Sequence, residues 1–366
     1  MALESSDGMS SSEDVGIFGQ FGDSFKGILT GILLFPASLF LIYQVETCEQ
    51  ASAALKGAVP AAEAKEGFPS YVTGMLTADP LGGEFVKTGH YISYSQTAEV
   101  YAWTEEVKEE GSGTNKKKVR KCKLEWTSSP KNPRNFELTG CKSKPFYQVS
   151  HSEINSFAND AKIKGESGTS YSVNLKDVEF TSEVPSSAPE AANLSKGILK
   201  EEYVYLNEKC SKDEIEGCER VNVDVRPIPK ENMTFVGSVS GHSMGKFRSK
   251  EDNLFLNASV GDYQKTMKDI ASDDKMMKWI GRIVCFVIMW ASLNLLVGPL
   301  TALLSFIPFI GEFGKMAISF VLGVVAFVIT AITILLVKFW YIWLLICLGA
   351  IGYSIYKRKQ AKPASA

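Results

Sequence analysis

The chain has 366 residues, of which 39 are basic and 41 acidic, for a formal net charge of −2. That balance excludes an overall basic nucleic-acid binder. Residues 279–356 hold only four charged side chains, Arg282, Glu312, Lys315 and Lys338, which excludes a wholly soluble protein.

In chain order, residues 1–26 form an acidic tail, with Glu4, Asp7, Glu13, Asp14 and Asp23 against the single base Lys26. Residues 27–45 carry no charge and are long enough for one crossing, which takes about 20 apolar residues. Ala51-Ser52-Ala53 would suit a signal-peptide cleavage site, but such peptides start with a basic leader. The acidic tail therefore favours a retained transmembrane helix. Gly27 and Gly31 form G-x-x-x-G, a helix-packing spacing that lets two helices approach closely and is by itself a weak sign of self-association.

Residues 46–277 make a large polar domain. An Ala-rich stretch from residue 51 to Pro60 reads as a helix, and Asp262 to Lys278 as a polar helix leading into the second span. Between them, short runs of β-branched and aromatic residues predict strands at 71–76, 91–110, 116–126, 171–180, 221–225, 234–239 and 254–260. The clearest element is a hairpin about Gly113. Folding there sets Glu110 by Lys116, Glu109 by Lys117, Val107 by Val119 and Glu106 by Arg120, with a one-residue slip allowed. The basic run from Lys116 to Lys123 thus meets an acidic strand rather than a nucleic acid or a lipid headgroup.

The remaining spans are 278–300, 316–337 and 339–356. Residues 301–315, broken by Pro308 and Gly311, form an interfacial or re-entrant connection. A basic tail at 357–366 carries Lys357, Arg358, Lys359 and Lys362 and favours the cytoplasmic side. Lys265, Lys268, Lys275, Lys278 and Arg282 flank the second span from the other side and weaken that count. The fold class is a multi-pass α-helical membrane protein, four spans arranged 1+3, with a large, mostly β domain in the lumen. Three glycosylation acceptors, Asn193, Asn232 and Asn257, all fall in that domain. If it is luminal, Cys122 with Cys141 and Cys210 with Cys218 are the disulfide pairs closest in sequence. The odd count leaves a thiol free or paired between chains.

Chemistry is hard to find. Gly241-His242-Ser243-Met244-Gly245 spells G-x-S-x-G, the nucleophile elbow of α/β-hydrolases. The elbow needs a following helix and a later histidine, yet charged residues follow and no histidine occurs after His242. A Gly-rich loop between strands is the better reading, and no catalytic residue is assigned. Coupled carriers keep ionisable groups at mid-membrane, whereas Arg282 and Lys338 lie near helix ends and Asn294 is the one strongly polar side chain deep in the second span. No metal signature and no cofactor motif occurs.

One layout does match a known pattern. Ala98-Glu99-Val100-Tyr101-Ala102-Trp103-Thr104-Glu105, Leu124-Glu125-Trp126 and Asn132-Pro133-Arg134-Asn135-Phe136 carry the likeness. It continues in Gly261-Asp262-Tyr263, Met277-Lys278-Trp279, Leu293-Asn294-Leu295 and Phe306-Ile307-Pro308-Phe309. With one span, a luminal domain and three clustered spans, the chain resembles the transmembrane protein 43 (LUMA) family. The resemblance implies a self-associating protein of the endoplasmic reticulum and inner nuclear membrane, linked to lamins and other inner nuclear membrane proteins. The short tails 1–26 and 357–366 offer lamins little surface. The expected function is a non-enzymatic membrane scaffold whose partners are lipids, inner nuclear membrane proteins and its own copies. The competing expectation is a lipid-handling enzyme or transporter working through 301–315.

Overall fold

The computed structural model describes residues 10–14, 17–110, 117–165, 168–298, 310–339, 341, 348–354 and 357. It divides into a β-rich unit, mainly Glu49–Glu110 with Lys117–Lys275, and a helical unit, mainly Asp14–Cys48 with Met276–Ala366.

The strands in chain order begin with β1 (Ser10–Asp14), β2 (Val59–Pro60), β3 (Pro69–Thr77), β4 (Tyr91–Glu110), β5 (Lys117–Thr127) and β6 (Ile154–Phe157). There follow β7 (Lys162–Gly165), β8 (Ser170–Val173), β9 (Glu179–Phe180), β10 (Ile198–Lys200), β11 (Tyr203–Tyr205) and β12 (Glu219–Pro227). The last are β13 (Met233–Ser240), β14 (Ser243–Gly245), β15 (Phe247–Arg248), β16 (Leu254–Phe255) and β17 (Asn257–Val260). The helices are α1 (Ile17–Thr47), α2 (Ala51–Ala54), α3 (Glu208–Lys212), α4 (Tyr263–Leu296) and α5 (Ile310–Lys338).

One sheet runs β1-β5-β4-β12-β11-β10, with β6 also on β4. Strand β4 is its spine: Tyr91–Val100 pairs with β12, and Val100–Glu110 pairs with β5. Period-two alternation assigns the faces. Tyr94, Ala98, Val221, Val223 and Val225 turn to one side and pack with Phe85 and Val204. On the other side Trp103 and Leu124 are covered by Phe136, Leu138 and Cys141. Also on that side, the Arg220 guanidinium lies between Tyr203, 3.7 Å away, and Trp126, 4.3 Å away, and pairs with Glu99 at 2.7 Å.

The second sheet closes on itself. Strands β3, β7, β8, β14 and β13 pair in turn, and β13 returns to β3. Strand β13 is buried at nearly every position, as expected for a strand covered on both faces. Its Met233 and Phe235 join Ile163, Tyr171 and Leu256 in the ring's core. Burying a side chain of Phe235's size stabilises by about 1.5–3 kcal/mol. Gly74 is needed where β3 crosses β7, since a Cβ there would sit 1.9 Å from the Lys164 carbonyl oxygen. Helix α4 starts at Asp262, whose side chain accepts from the Lys265 N–H at 2.8 Å, an N-cap. Asp269, Asp273 and Asp274 then tie α4 to Ser259, Ser182 and Ser52.

Several expectations need correction. The β4–β5 register is one residue off the expected one: Glu110 faces Lys117, Glu109 faces Lys118, Lys108 faces Val119, Val107 faces Arg120 and Glu106 faces Lys121. The connection spans residues 111–116, one residue longer than a turn centred on Gly113 with Glu110 opposite Lys116. The Ala-rich helix stops at Ala54. The strand expected at 171–180 is interrupted, because Asn174 caps a 3₁₀ turn at Leu175–Asp177 with its side-chain oxygen. Three helices, within Gly27–Ala54, Tyr263–Leu296 and Met316–Lys338, are long and apolar enough to cross a membrane. Four spans are therefore not found among the described residues, since half of 339–356 lies outside them. Most of 301–315 also lies outside them; Ile310–Gly314 begins α5.

Candidate functional site

Within the helical unit, α1 runs antiparallel to the second half of α4. Val45 meets Gly281, Glu46 meets Arg282, Ser38 donates to the Met289 sulfur at 3.5 Å, and Gly27 meets Leu295. Small residues set the spacing. A Cβ added to Gly31 would stand 3.0 Å from both the Ser292 carbonyl oxygen and Leu296 Cγ. Gly27 and Gly31 thus lie where two helices pack closely, and the second helix is α4. The two glycines admit a helix of the same chain, so their close-approach surface is already occupied. Gly323 of α5 plays a similar part against the Trp290 ring, whose indole N–H donates to the Ser319 carbonyl at 2.9 Å. Asn294 donates to the Trp290 carbonyl of its own helix at 2.8 Å.

The strongest polar constellation here is Glu46, Lys278 and Arg282. The Glu46 side chain is only 3% exposed. Arg282 binds it through two bonds, Nε to Oε1 at 2.6 Å and Nη2 to Oε2 at 3.0 Å. Lys278 Nζ donates to the Glu46 carbonyl at 3.2 Å and lies 3.5 Å from Oε2. Lone charges at such a site cost several kcal/mol. The bidentate fork places opposite charges on facing helices. Glu46 offsets one of the two charges of Lys278 and Arg282, and Lys265 lies near Glu183 and Asp269.

In the β-rich unit, bonds join Cys122 to Cys141 and Cys210 to Cys218. Each pins an irregular segment to the Trp103–Trp126 face of the first sheet. Cys141 brings down Phe136 and Leu138, and Cys218 closes the turn that carries Glu214 and Glu216 to Trp126 and Trp103. Cys48 belongs to neither bridge, and Cys285 is buried in the helical unit. Of the glycosylation acceptors, Asn232 is exposed and Asn193 half-buried. Asn257 has to be withdrawn: it is 7% exposed, in strand β17 between β13 and β9, with Nδ2 3.4 Å from Glu179. A glycan on that nitrogen would need the sheet opened.

Ser243 begins β14, a strand rather than the helix an elbow requires, and Gly241 takes φ of +58° in the turn that joins it to β13. A constellation that sequence reading missed lies elsewhere. His151 Nδ1 is 2.8 Å from Glu219 Oε1 and 3.1 Å from Ser150 Oγ, while Nε2 faces Glu84 at 3.4 Å. The Ser150 hydroxyl donates to the Glu219 carboxylate, whereas in a triad the serine gives its proton to the imidazole. The cluster fastens residues 150–151 to β12. Burial pushes the Glu219 carboxyl up, but hydrogen bonds from Ser150 and His151 outweigh it and hold it below the usual carboxylate range. Nothing in sequence spacing joins residue 151 to 219; the pairing of β12 with β4 does. Among the described residues no group of three or more His, Cys, Asp or Glu could hold a metal.

The sequence model for the family described as transmembrane protein 43 matches residues 100–343. This chain belongs to the transmembrane protein 43 family. With the apolar helices, membership makes it a transmembrane protein. The family match takes in both disulfides, Lys278 and Arg282, and α5, while α1 with Glu46, Gly27 and Gly31 precedes it. No curated protein and no solved structure matches the chain.

Proposed function

We propose that this member of the transmembrane protein 43 family is a non-enzymatic scaffold of the endoplasmic reticulum and inner nuclear membrane, with its β-rich domain in the lumen. The pair of disulfides on one sheet face carries the reading, because such bonds persist in an oxidising compartment. The basic tail at 357–366 supports the same orientation. Lipids surround the spans. Inner nuclear membrane proteins and further copies of the chain are the partners, met through the outer faces of the helices or through the domain, since Gly27 and Gly31 are engaged internally.

A second orientation has one observation in its favour. Strand β1, in the acidic tail, pairs at the outer edge of β5, which requires tail and domain on the same side. Proximity labelling separates the two, with the labelling enzyme attached ahead of Met1 in a first fusion and inserted between Gly113 and Thr114 in a second. Luminal neighbours for the second fusion only, with nuclear-envelope proteins among them, are expected. Luminal neighbours for both would support the same-side arrangement, and cytosolic neighbours for the second would end the luminal reading. Loss of an endoglycosidase-sensitive mobility shift in Asn232→Gln gives an independent check.

A further inference from the structure

The β-rich unit has an open cleft of about 490 Å³ beside the start of α4, lined by Tyr71, Tyr171, Tyr263, Pro60 and Asp262 among others. Tyr71 and Tyr263 stack with centroids 4.3 Å apart and planes 14° from parallel, so each ring keeps one face turned away from the stack. Tyr171, from β8, contributes a third ring. Among the described residues no lysine or arginine lines the cleft. The bases adjacent in sequence to lining residues, Lys164 and Lys265, do not line it; Lys265 donates to the Val260 carbonyl at 2.9 Å and lies 3.5 Å from Glu183. Asp262 spends Oδ1 on capping α4, and among the described residues Oδ2 has no hydrogen-bond partner.

We propose that this cleft binds a methylated ammonium group of the choline type. Aromatic faces attract a cation through their quadrupole, by about 0.5–2 kcal/mol each depending on desolvation. A carboxylate at the rim adds charge, and the absence of any base removes the usual repulsion. Pockets of this size, apolar with few polar groups, suit small ligands. A phosphate or carboxylate would find no cationic partner among these lining residues, so an anionic ligand is disfavoured by the same inventory. The trimethylammonium could come from a soluble amine or from the headgroup of a choline lipid.

The test uses the full chain in phosphatidylglycerol nanodiscs, which contain no choline. Saturation-transfer NMR from protein to the choline N-methyl protons is expected, with transfer to the neutral isostere 3,3-dimethylbutan-1-ol much weaker. Asp262→Asn keeps an N-cap while removing the charge. It should weaken choline binding about threefold, as for an exposed ionic contact, with the melting temperature unchanged. Tyr263→Leu should abolish transfer; should it also unfold the domain, Asp262→Asn still decides. Moving the protein to phosphatidylcholine nanodiscs distinguishes the sources: loss of the soluble signal means that lipid headgroups fill the site, persistence means a soluble amine. No transfer from choline, equal transfer from the isostere, or unchanged affinity in Asp262→Asn would overturn the proposal.

Discussion

The β-rich unit and the helical unit bury different things. In the first, Tyr94, Phe85, Phe235 and Leu256 are fully enclosed; in the second, side chains of the same kind face outward, with Leu33 72% and Phe320 71% exposed. Water drives large apolar groups inward in the first case. Hydrocarbon supplies no such drive, so helices there meet through close packing and polar contacts. Gly31, Ser38, Gly281 and the Glu46–Arg282 fork share the inside of the helical unit with a small apolar cluster of Ile42, Met289 and Ala326.

This contrast can be broken at definite points. The largest effect is expected at Arg282→Leu, which leaves the buried Glu46 carboxylate with Lys278 alone, at a cost of about 3 kcal/mol, the lower end for a broken buried pair. Unfolding in mixed micelles titrated with dodecyl sulfate would measure it, and the swap Glu46→Arg with Arg282→Glu should recover part of the loss. A wild-type midpoint for Arg282→Leu would mean that the fork does not hold the helices together. Next comes Cys122→Ser with Cys141→Ser. The bridge closes a loop of 19 residues, for which chain entropy gives about 3 kcal/mol. Urea unfolding followed through tryptophan fluorescence should show the unfolding free energy falling by that amount.

Gly31→Ala should cost about 1–3 kcal/mol by overpacking against Ser292 and Leu296, while Leu33→Ala, on the outward face, should leave the micelle unfolding midpoint near wild type. Equal losses from the two would remove the distinction between inner and outer faces. The smallest expected effect is on pH dependence. The Glu219 carboxyl is held below its ordinary value, so it stabilises the fold above about pH 4.3, the usual glutamate pKa. That contribution is lost as pH falls through the lower folded value. Glu219→Gln should therefore flatten the acid limb of the melting-temperature curve; an unchanged limb would show that the His151 cluster does not couple to folding.

Local pattern made much of this legible. Strand β4 runs over 91–110 residue for residue as its β-branched and aromatic texture predicts, and α5 contains the apolar run at 316–337. The short strands β2, β7, β10 and β11 left no such signal, because two to four residues show no period and take their structure from a neighbour. The hairpin register depended on how many residues the connection uses, which charge pairing alone did not fix to better than one residue. For the sites, the failed elbow at Ser243 was readable from the missing downstream histidine, whereas His151 and Glu219 are separated by too much chain for spacing to join them.

Composition and hydropathy alone determined that this protein enters a membrane, where its apolar helices fall, and that a β-rich domain separates the first helix from the others. They could do so because length, charge content and side-chain period are local properties of a chain. Tertiary structure decided what each contact surface meets: Gly27 and Gly31 face α4 of the same chain, Asn257 is closed inside a sheet, and Glu46 lies against Arg282. Those outcomes depend on which distant segments share space, and a linear sequence does not state that distance.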